Sequence, residues 1–165
     1  DRAWLTMIEG QRGFFKPRYF VPYDTTPNHL SYYTTDKLRE TLERYCDLKL
    51  VNDVNRMKVS VSAVNVRNGN FAIFSNENEE LHYDHFIASG ALPPGFPAVE
   101  IDGEYYWDGG LVSNTPLNEI LSHEEHLKQL IFQVDLWNAK GTVPENMMEI
   151  DERIKDIQSV SYTHL

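Results

Sequence analysis

Asp108 is the carboxylate in this chain whose neighbours best suit chemistry. It follows the aromatic run Tyr-Tyr-Trp and precedes Gly109 and Gly110. An ionised aspartate within about 2.6–3.2 Å of a serine hydroxyl can accept its proton and turn it into a nucleophile. A glycine lacks a Cβ, so its backbone can take positive φ and a substrate or facing loop can come close to the carboxylate. The pattern indicates base-assisted nucleophilic attack.

The residues around Asp108 also suggest how its basicity would be tuned. Tyr105, Tyr106 and Trp107 can shield the carboxylate from water, which favours its proton-binding form. Asn114 and the free amides at the start of the next predicted helix can hold its orientation or complete a polar pocket. An alternative stays open, because Asp-Gly is also the commonest short hairpin turn.

Two predicted hairpins position this residue. Each consists of two short apolar or alternating runs joined by Asn-Gly or Asp-Gly, the residue pairs that two-residue hairpin turns prefer. The first joins residues 57–66 to 70–75, and the second joins 98–101 to 104–107. Asp108 directly follows the last strand of the second hairpin, at the point where the chain leaves that strand.

Helices are predicted between and around these hairpins. The signals are apolar residues at helical spacing, threonine N-caps and proline stops. The predicted helices are the opening amphipathic turn, a helix capped by Thr34 or Thr35 that runs through Tyr45, 81–91, a helix from Thr115 and Pro116 to about 121–126, and 145–158. Strands that alternate with helices favour an α/β layered domain over a sandwich.

Two further segments each have two interpretations. The aromatic-rich loop 14–33 can line a lipid-binding cleft, although packing against the sheet is the favoured account. The apolar run 130–136 predicts a buried strand that ends near Asp135. Functional residues often lie at such strand ends, but a capping or loop-anchoring role is favoured for this carboxylate.

Composition limits the classes of function. The chain has 165 residues, of which 41% are hydrophobic and 24% charged, as in one globular domain. Its net charge of −10 argues against nonspecific binding to nucleic acid or to an anionic membrane surface. The single cysteine, Cys46, excludes an intramolecular disulfide and a cysteine-built zinc site, so a reducing compartment is favoured. We expect a cytoplasmic protein without a transmembrane segment or cofactor, soluble or peripherally associated with membranes.

Two stretches carry a family resemblance in their order and spacing. They are Ala-Ser-Gly-Ala-Leu-Pro-Pro-Gly-Phe-Pro at 88–97 and Tyr-Trp-Asp-Gly-Gly-Leu-Val-Ser-Asn-Thr-Pro at 106–116. Together they resemble patatin-like phospholipases, lipid acyl hydrolases that use a serine and an aspartate without histidine. The resemblance extends over most of the chain, including 59–69 and 133–137. It implies a three-layer α/β/α domain, an esterase or phospholipase acting on a lipid or other acyl ester, and Asp108 as the base of the Asp-Gly-Gly motif.

The nucleophile motif of that family is missing. The motif G-x-S-x-G does not occur in the 165 residues, and neither does the glycine-rich oxyanion loop that precedes it in the family. Ser89 imitates such an elbow superficially, but Ile87 stands where the first glycine belongs, and Ser113 fits the polar loop before a helix. The resemblance therefore implies a domain incomplete at its N-terminal side, which alone is inactive.

The same comparison of motifs predicts how the chain is divided. Residues 1–136 would be the C-terminal portion of the patatin-like domain, and 137–158 the start of an additional C-terminal region. Residues 159–165 follow a charged helical run abruptly and are interpreted as a non-native tail.

Two histidine groups offer weaker candidates for a metal site. His123 and His126 are three residues apart, which does not match the four-residue spacing of H-E-x-x-H. His82, Asp84 and His85 can be interpreted as ligands, but a helix with one solvated face explains them better. We expect no metal site.

A function of another class is also compatible with the residues. In that alternative the chain is a non-catalytic interaction module whose acidic surface meets a basic partner, and Asp108 is only a turn residue. Ester hydrolysis by the Asp108→Asn variant separates the two hypotheses. Neither predicts the oligomeric state.

Overall fold

A computed structural model describes residues 2–19 and 26–113, together with the shorter pieces 130, 132, 134, 140–144, 146–147, 149–150 and 153–154. The chain divides into two compact units, residues 1–109 and 110–165. Asp108 and the elements that position it belong to the first unit. The proposed boundary at residue 136 stays a prediction.

Helices and strands are mixed along the described chain. The helices are α1 (Arg2–Glu9), α2 (Asp36–Tyr45), α3 (Leu48–Val51) and α4 (Tyr83–Ser89). The strands are β1 (Lys16–Pro17), β2 (Tyr33–Thr34), β3 (Ser60–Asn65), β4 (Phe71–Ser75), β5 (Val99–Ile101) and β6 (Glu104–Asp108), and 3₁₀ turns span Pro27–His29 and Gly109–Leu111. The predicted α/β class is confirmed, whereas the short helix α3 was not predicted.

A four-stranded sheet in the order β4-β3-β6-β5 forms the centre of the first unit. Both predicted hairpins are present, since β3 pairs with β4 and β5 pairs with β6, in each case antiparallel. The turn of the second hairpin holds Asp102 at φ 51° and Gly103 at φ 82°, the left-handed conformation that Asp-Gly tolerates. The pairing of β3 with β6 joins the two hairpins and places Ala63 opposite Asp108.

The core lies on the face of this sheet that α4 covers. α4 contacts β3, β5 and β6, and the fully buried Leu81 precedes it. The ring of Phe74 packs edge-on against Tyr106 with centroids 5.2 Å apart. The buried members of this core are Ala63, Phe74, Leu81, Ile87, Ala88, Ala91, Val99 and Ile101. α4 is shorter than predicted, but it stops before the two prolines as expected.

In the second unit only scattered residues are described. Leu130, Phe132 and Val134 are 80%, 82% and 80% exposed and are not in a strand, so the predicted buried strand is wrong at these positions. An apolar run specifies a strand only where a partner strand and a covering layer are available. Of the described residues in the predicted helix 145–158, 147, 149, 150, 153 and 154 are helical, whereas 146 is in a bend. Asp135, the predicted helix that begins at Thr115, and 159–165 lie outside the described residues.

The N-caps of α2 and α3 allow a matched test of capping. The Asp47 side chain accepts a hydrogen bond from the Lys49 N–H at 2.9 Å, whereas Thr35 makes no such side-chain bond. Asp47→Ala is therefore expected to lower the free energy of unfolding by about 1 kcal/mol, and Thr35→Ala by much less. Urea denaturation followed by circular dichroism measures both. Equal losses in the two variants would contradict the assignment of the cap.

Candidate functional site

Asp108 is the last residue of β6, an interior strand of the sheet. Opposite it on β3 lies Ala63, which is 0% exposed. The Asp108 N–H donates to the carbonyl oxygen of Ala91, at 3.1 Å, in the loop that follows α4. Strand β3 and the loop after α4 thus hold the backbone of this half-buried aspartate. They fix the position from which its side chain leaves the end of the strand.

Strand alternation decides which aromatic residues share the face of Asp108. Cross-strand partners point to the same face, and successive residues point to opposite faces. Tyr106 therefore lies on the face of Asp108, whereas Tyr105 and Trp107 lie on the other face. The prediction that Tyr105 and Trp107 shield the carboxylate is wrong for this reason. Trp107 pairs instead with the buried Val64.

Gly109 is needed for close packing rather than for an unusual backbone conformation. A Cβ added to Gly109 would lie 2.8 Å from the carbonyl carbon of Ser62 on β3, and equally close to the Ser62 Cβ. Real Cβ atoms essentially never approach other atoms within 3.0 Å. The φ angle of Gly109 is outside the positive region. The predicted approach of a substrate or facing loop to the carboxylate stays a prediction, and the expected positive φ is wrong at this residue.

The backbone beyond Asp108 does not form a two-residue hairpin loop. β6 ends at Asp108, and Gly109–Leu111 form a 3₁₀ turn. The alternative interpretation of Asp108-Gly109 as a hairpin turn is therefore wrong, because the hairpin turn of this strand lies at its other end, at Asp102-Gly103. Gly110 is half-buried. Asn114, the predicted supporting amide, lies outside the described residues.

The serines near Asp108 in sequence, and Ser62 on the neighbouring strand β3, are not on a nucleophile elbow. Ser89 is the last residue of α4, in agreement with its predicted helical setting. Ser113 lies outside helices and strands, as a loop residue would. Ser62 is part of β3, where its backbone and side chain would lie within 3.0 Å of a Cβ added to Gly109. The described site thus offers a positioned carboxylate, and the G-x-S-x-G motif does not occur in the sequence.

The aromatic loop has a role that sequence analysis missed. Phe14, Phe15 and Tyr33 pack around Phe96, with ring centroids 5.4, 5.5 and 6.0 Å from that of Phe96. The backbone continues this contact, because the Tyr33 N–H donates to the carbonyl oxygen of Gly95 at 2.9 Å. These residues hold the loop between α4 and β5, in which Ala91 accepts the bond from Asp108. The high density of aromatic residues in this loop was visible in the sequence, but the sequence did not show that Phe96 is the residue on which they pack.

The histidines of α4 are structural. His85 is 3% exposed, packs against Phe74 with centroids 4.6 Å apart, and accepts at Nδ1 from the His82 N–H at 2.9 Å. Asp84 forms an ion pair with Arg39. The predicted solvated face is wrong at His85, because this side chain turns back to cap its own helix. The described residues contain no group of three or more histidine, cysteine, aspartate or glutamate side chains placed to hold a metal ion.

Comparison with known families explains why these features occur together. The sequence matches the family model described as patatin-like phospholipase over residues 8–121, which is more than half of the chain. A search of curated proteins finds no match. Among the described residues, no helix combines the length and apolar character needed to cross a membrane. The match includes β3, β6, Asp108 and the 3₁₀ turn that follows it, and the chain therefore belongs to the patatin-like phospholipase family.

Proposed function

We propose that the intact protein hydrolyses acyl esters of lipids and that Asp108 is the general base of its serine-aspartate dyad. The observation that carries the proposal is the firmly held backbone of Asp108. Asp108 ends an interior strand within the family match, its N–H is bonded to Ala91, and the next residue is a glycine pressed against β3. Catalytic groups require such support, because small errors in position weaken proton transfer.

The proposed chemistry proceeds in two halves. Asp108 accepts the proton of the serine hydroxyl as the serine oxygen attacks the ester carbonyl carbon. The tetrahedral intermediate collapses to an acyl-enzyme, and the leaving alcohol takes the proton from Asp108. Water then attacks the acyl-enzyme while Asp108 accepts its proton, and the serine leaves with that proton. The acid is released, and both residues return to their starting states without a metal or cofactor.

The serine of the dyad and the donors that stabilise the oxyanion are proposed to come from other sequence of the intact protein. G-x-S-x-G is missing from the 165 residues, and the donors that stabilise the oxyanion precede that motif in such enzymes. The 165-residue chain alone is therefore proposed to be inactive. Gly110 and Asn114 are proposed to complete the support of the carboxylate. The protein is further proposed to work in the cytoplasm, in solution or at a membrane surface.

The test begins with the source DNA upstream of Asp1. We expect an in-frame glycine-rich loop followed by G-x-S-x-G, and expression of that longer chain beside the 165-residue chain compares the two directly. The longer chain is expected to hydrolyse p-nitrophenyl butyrate and to react with a fluorophosphonate probe at the motif serine. The 165-residue chain is expected to do neither. A start codon at this position without the motif upstream, or equal hydrolysis by both chains, would overturn the proposal.

A further inference from the structure

The loop between α4 and β5 carries the acceptor for the backbone of Asp108. Two glycines and three prolines occur in residues 90–97, and none of these residues belongs to a helix or strand. Ala91, which is 0% exposed, accepts from the Asp108 N–H at 3.1 Å. β5 begins only at Val99, opposite Tyr106, so the loop supplies this acceptor beyond the end of that strand. A loop without a strand ladder of its own depends on other contacts for its position.

Phe96 is closely connected to that acceptor. The Phe96 N–H donates to the carbonyl oxygen of Leu92 at 3.0 Å, which closes this part of the loop into a turn. Leu92 directly follows Ala91 in the chain. One hydrogen bond and one residue thus separate Phe96 from Ala91. The position of Phe96 therefore affects where the Ala91 carbonyl lies.

Aromatic residues from the N-terminal part of the chain pack on Phe96. The ring centroids of Phe14 and Phe15 lie 5.4 and 5.5 Å from that of Phe96. Phe15 also packs edge-on against Tyr33, with centroids 4.7 Å apart. Aromatic rings attract one another at such distances. The half-buried Phe96 packs against the core under the sheet as well, so its ring joins the aromatic loop to that core.

Backbone hydrogen bonds reinforce this packing. The Tyr32 N–H donates to the carbonyl oxygen of Pro94 at 3.1 Å, and the Tyr33 N–H donates to that of Gly95 at 2.9 Å. Both acceptors lie directly before Phe96 in the chain. The ring contacts and the backbone bonds therefore hold the same part of the loop in one place.

We propose that Phe96 is a positioning residue for Asp108 and acts through the loop that binds the Asp108 backbone. The catalytic part of this inference rests on the proposed function, whereas the link from Phe96 to Asp108 can be measured without activity. A small displacement of a general base weakens proton transfer in the transition state. It does not remove contacts with bound substrate. Loss of the Phe96 ring is therefore expected to lower kcat rather than to raise KM.

Hydrogen exchange in the 165-residue chain, followed by NMR, tests the link directly. In Phe96→Leu, the protection of the Asp108 amide is expected to fall at least about tenfold relative to that of the Val66 amide, because only the loop opens locally. The Val66 N–H donates to the carbonyl oxygen of Tyr105 at 2.8 Å and reports whether β6 stays paired with β3. An unchanged ratio of the two protections would overturn the proposal, whether both amides lose protection equally or neither does.

Phe71→Leu is the matched control for this experiment. Phe71 is a half-buried residue of β4 and takes no part in the ring contacts around Phe96. The same substitution there is expected to leave the ratio unchanged, even where the whole chain loses stability. Phe96→Tyr keeps the ring and is expected to keep the ratio. A fall of the ratio in Phe71→Leu, or an equal fall in Phe96→Tyr and Phe96→Leu, would contradict the role of the ring.

Phe15→Leu provides a second test if Phe96→Leu does not fold. It removes one of the rings that pack on Phe96 but leaves Phe96 in the loop. The ratio is expected to fall in the same direction and by a smaller factor. An unchanged ratio in this variant would overturn the proposal when the other variant gives no folded chain.

Kinetics of the intact protein connect the link to catalysis. Phe96→Leu is expected to lower kcat for p-nitrophenyl butyrate about tenfold or more with little change in KM, whereas Phe96→Tyr and Phe71→Leu keep most of it. Asp108→Asn, measured beside them, separates the two proposals. Unchanged hydrolysis in Asp108→Asn removes the proposed base, and the exchange ratio alone then decides the link. Lost hydrolysis in Asp108→Asn with unchanged kcat in Phe96→Leu overturns the positioning role and leaves the proposed function in place.

Discussion

Replacing Asp108 with asparagine is expected to lower kcat/KM for ester hydrolysis by the intact protein about 10²- to 10⁴-fold, the usual contribution of a general base. Asparagine keeps the size and planar shape of the side chain but cannot accept the proton of the serine. The backbone hydrogen bond to Ala91 does not depend on the side chain, so the fold is expected to persist. Initial rates with p-nitrophenyl butyrate, together with thermal melting, measure both properties.

Asp102→Asn is the matched control for this variant. Asp102 is an exposed turn residue with φ 51°, a conformation that asparagine tolerates, so the same chemical change is made without strain. Unchanged hydrolysis in this control and a large loss in Asp108→Asn support the base. Unchanged hydrolysis in Asp108→Asn would remove Asp108 from the mechanism and favour the interaction module. Equal loss of activity and thermal stability in Asp108→Asn would make the residue structural.

Replacing Gly109 with alanine is expected to lower the free energy of unfolding by about 1–3 kcal/mol, as overpacking of an interior does. The added Cβ would meet the backbone of Ser62 at 2.8 Å, and a strand that is paired on both sides cannot retreat easily. The same displacement would move Asp108, so hydrolysis by the intact protein is expected to fall as well. Urea denaturation and the ester assay measure the two losses.

Gly90→Ala separates this steric effect from the general effect of losing a glycine. A Cβ at Gly90 would meet no atom within 4 Å, and its φ of −113° is open to alanine. Little change in stability is expected there. Adding Ser62→Gly to Gly109→Ala removes the side-chain part of the clash but leaves the backbone part, so partial recovery is expected. Equal stability of the Gly90 and Gly109 variants would show that the close approach is not required.

Local sequence patterns were sufficient to predict the pieces of the fold around Asp108. Both hairpins were found because two-residue turns require special residues, and the left-handed Asp102-Gly103 turn is an example. The helices α2 and α4 were found from helical spacing and from the prolines that follow α4. Asp108 itself was found as the residue that leaves the second hairpin. These features depend on neighbours in the chain, which a sequence displays directly.

The missed features depend on residues that are distant in sequence. The contact of Gly109 with Ser62 and the burial of His85 arise only when β3, β6 and α4 assemble. The aromatic residues were visible, but their packing on Phe96 was not. The run 130–136 shows the opposite error, since its apolar pattern predicted burial that its described residues do not have. Whether such a segment is buried depends on residues that are distant in sequence, and the periodicity of the segment carries no information about those residues.

The pairing of β3 with β6 also has a consequence for the order of folding. Each hairpin closes a short loop and can form within about 1–10 μs, whereas β3 and β6 are brought together over more than 40 residues and must find each other later. Ala63 and Asp108 meet only in that second step. The Val66 N–H donates to the carbonyl oxygen of Tyr105 across this pairing, at 2.8 Å, and is therefore expected to gain protection from hydrogen exchange after the amides within the hairpins. The chain is thus expected to complete both hairpins first and to bring Asp108 beside β3 last.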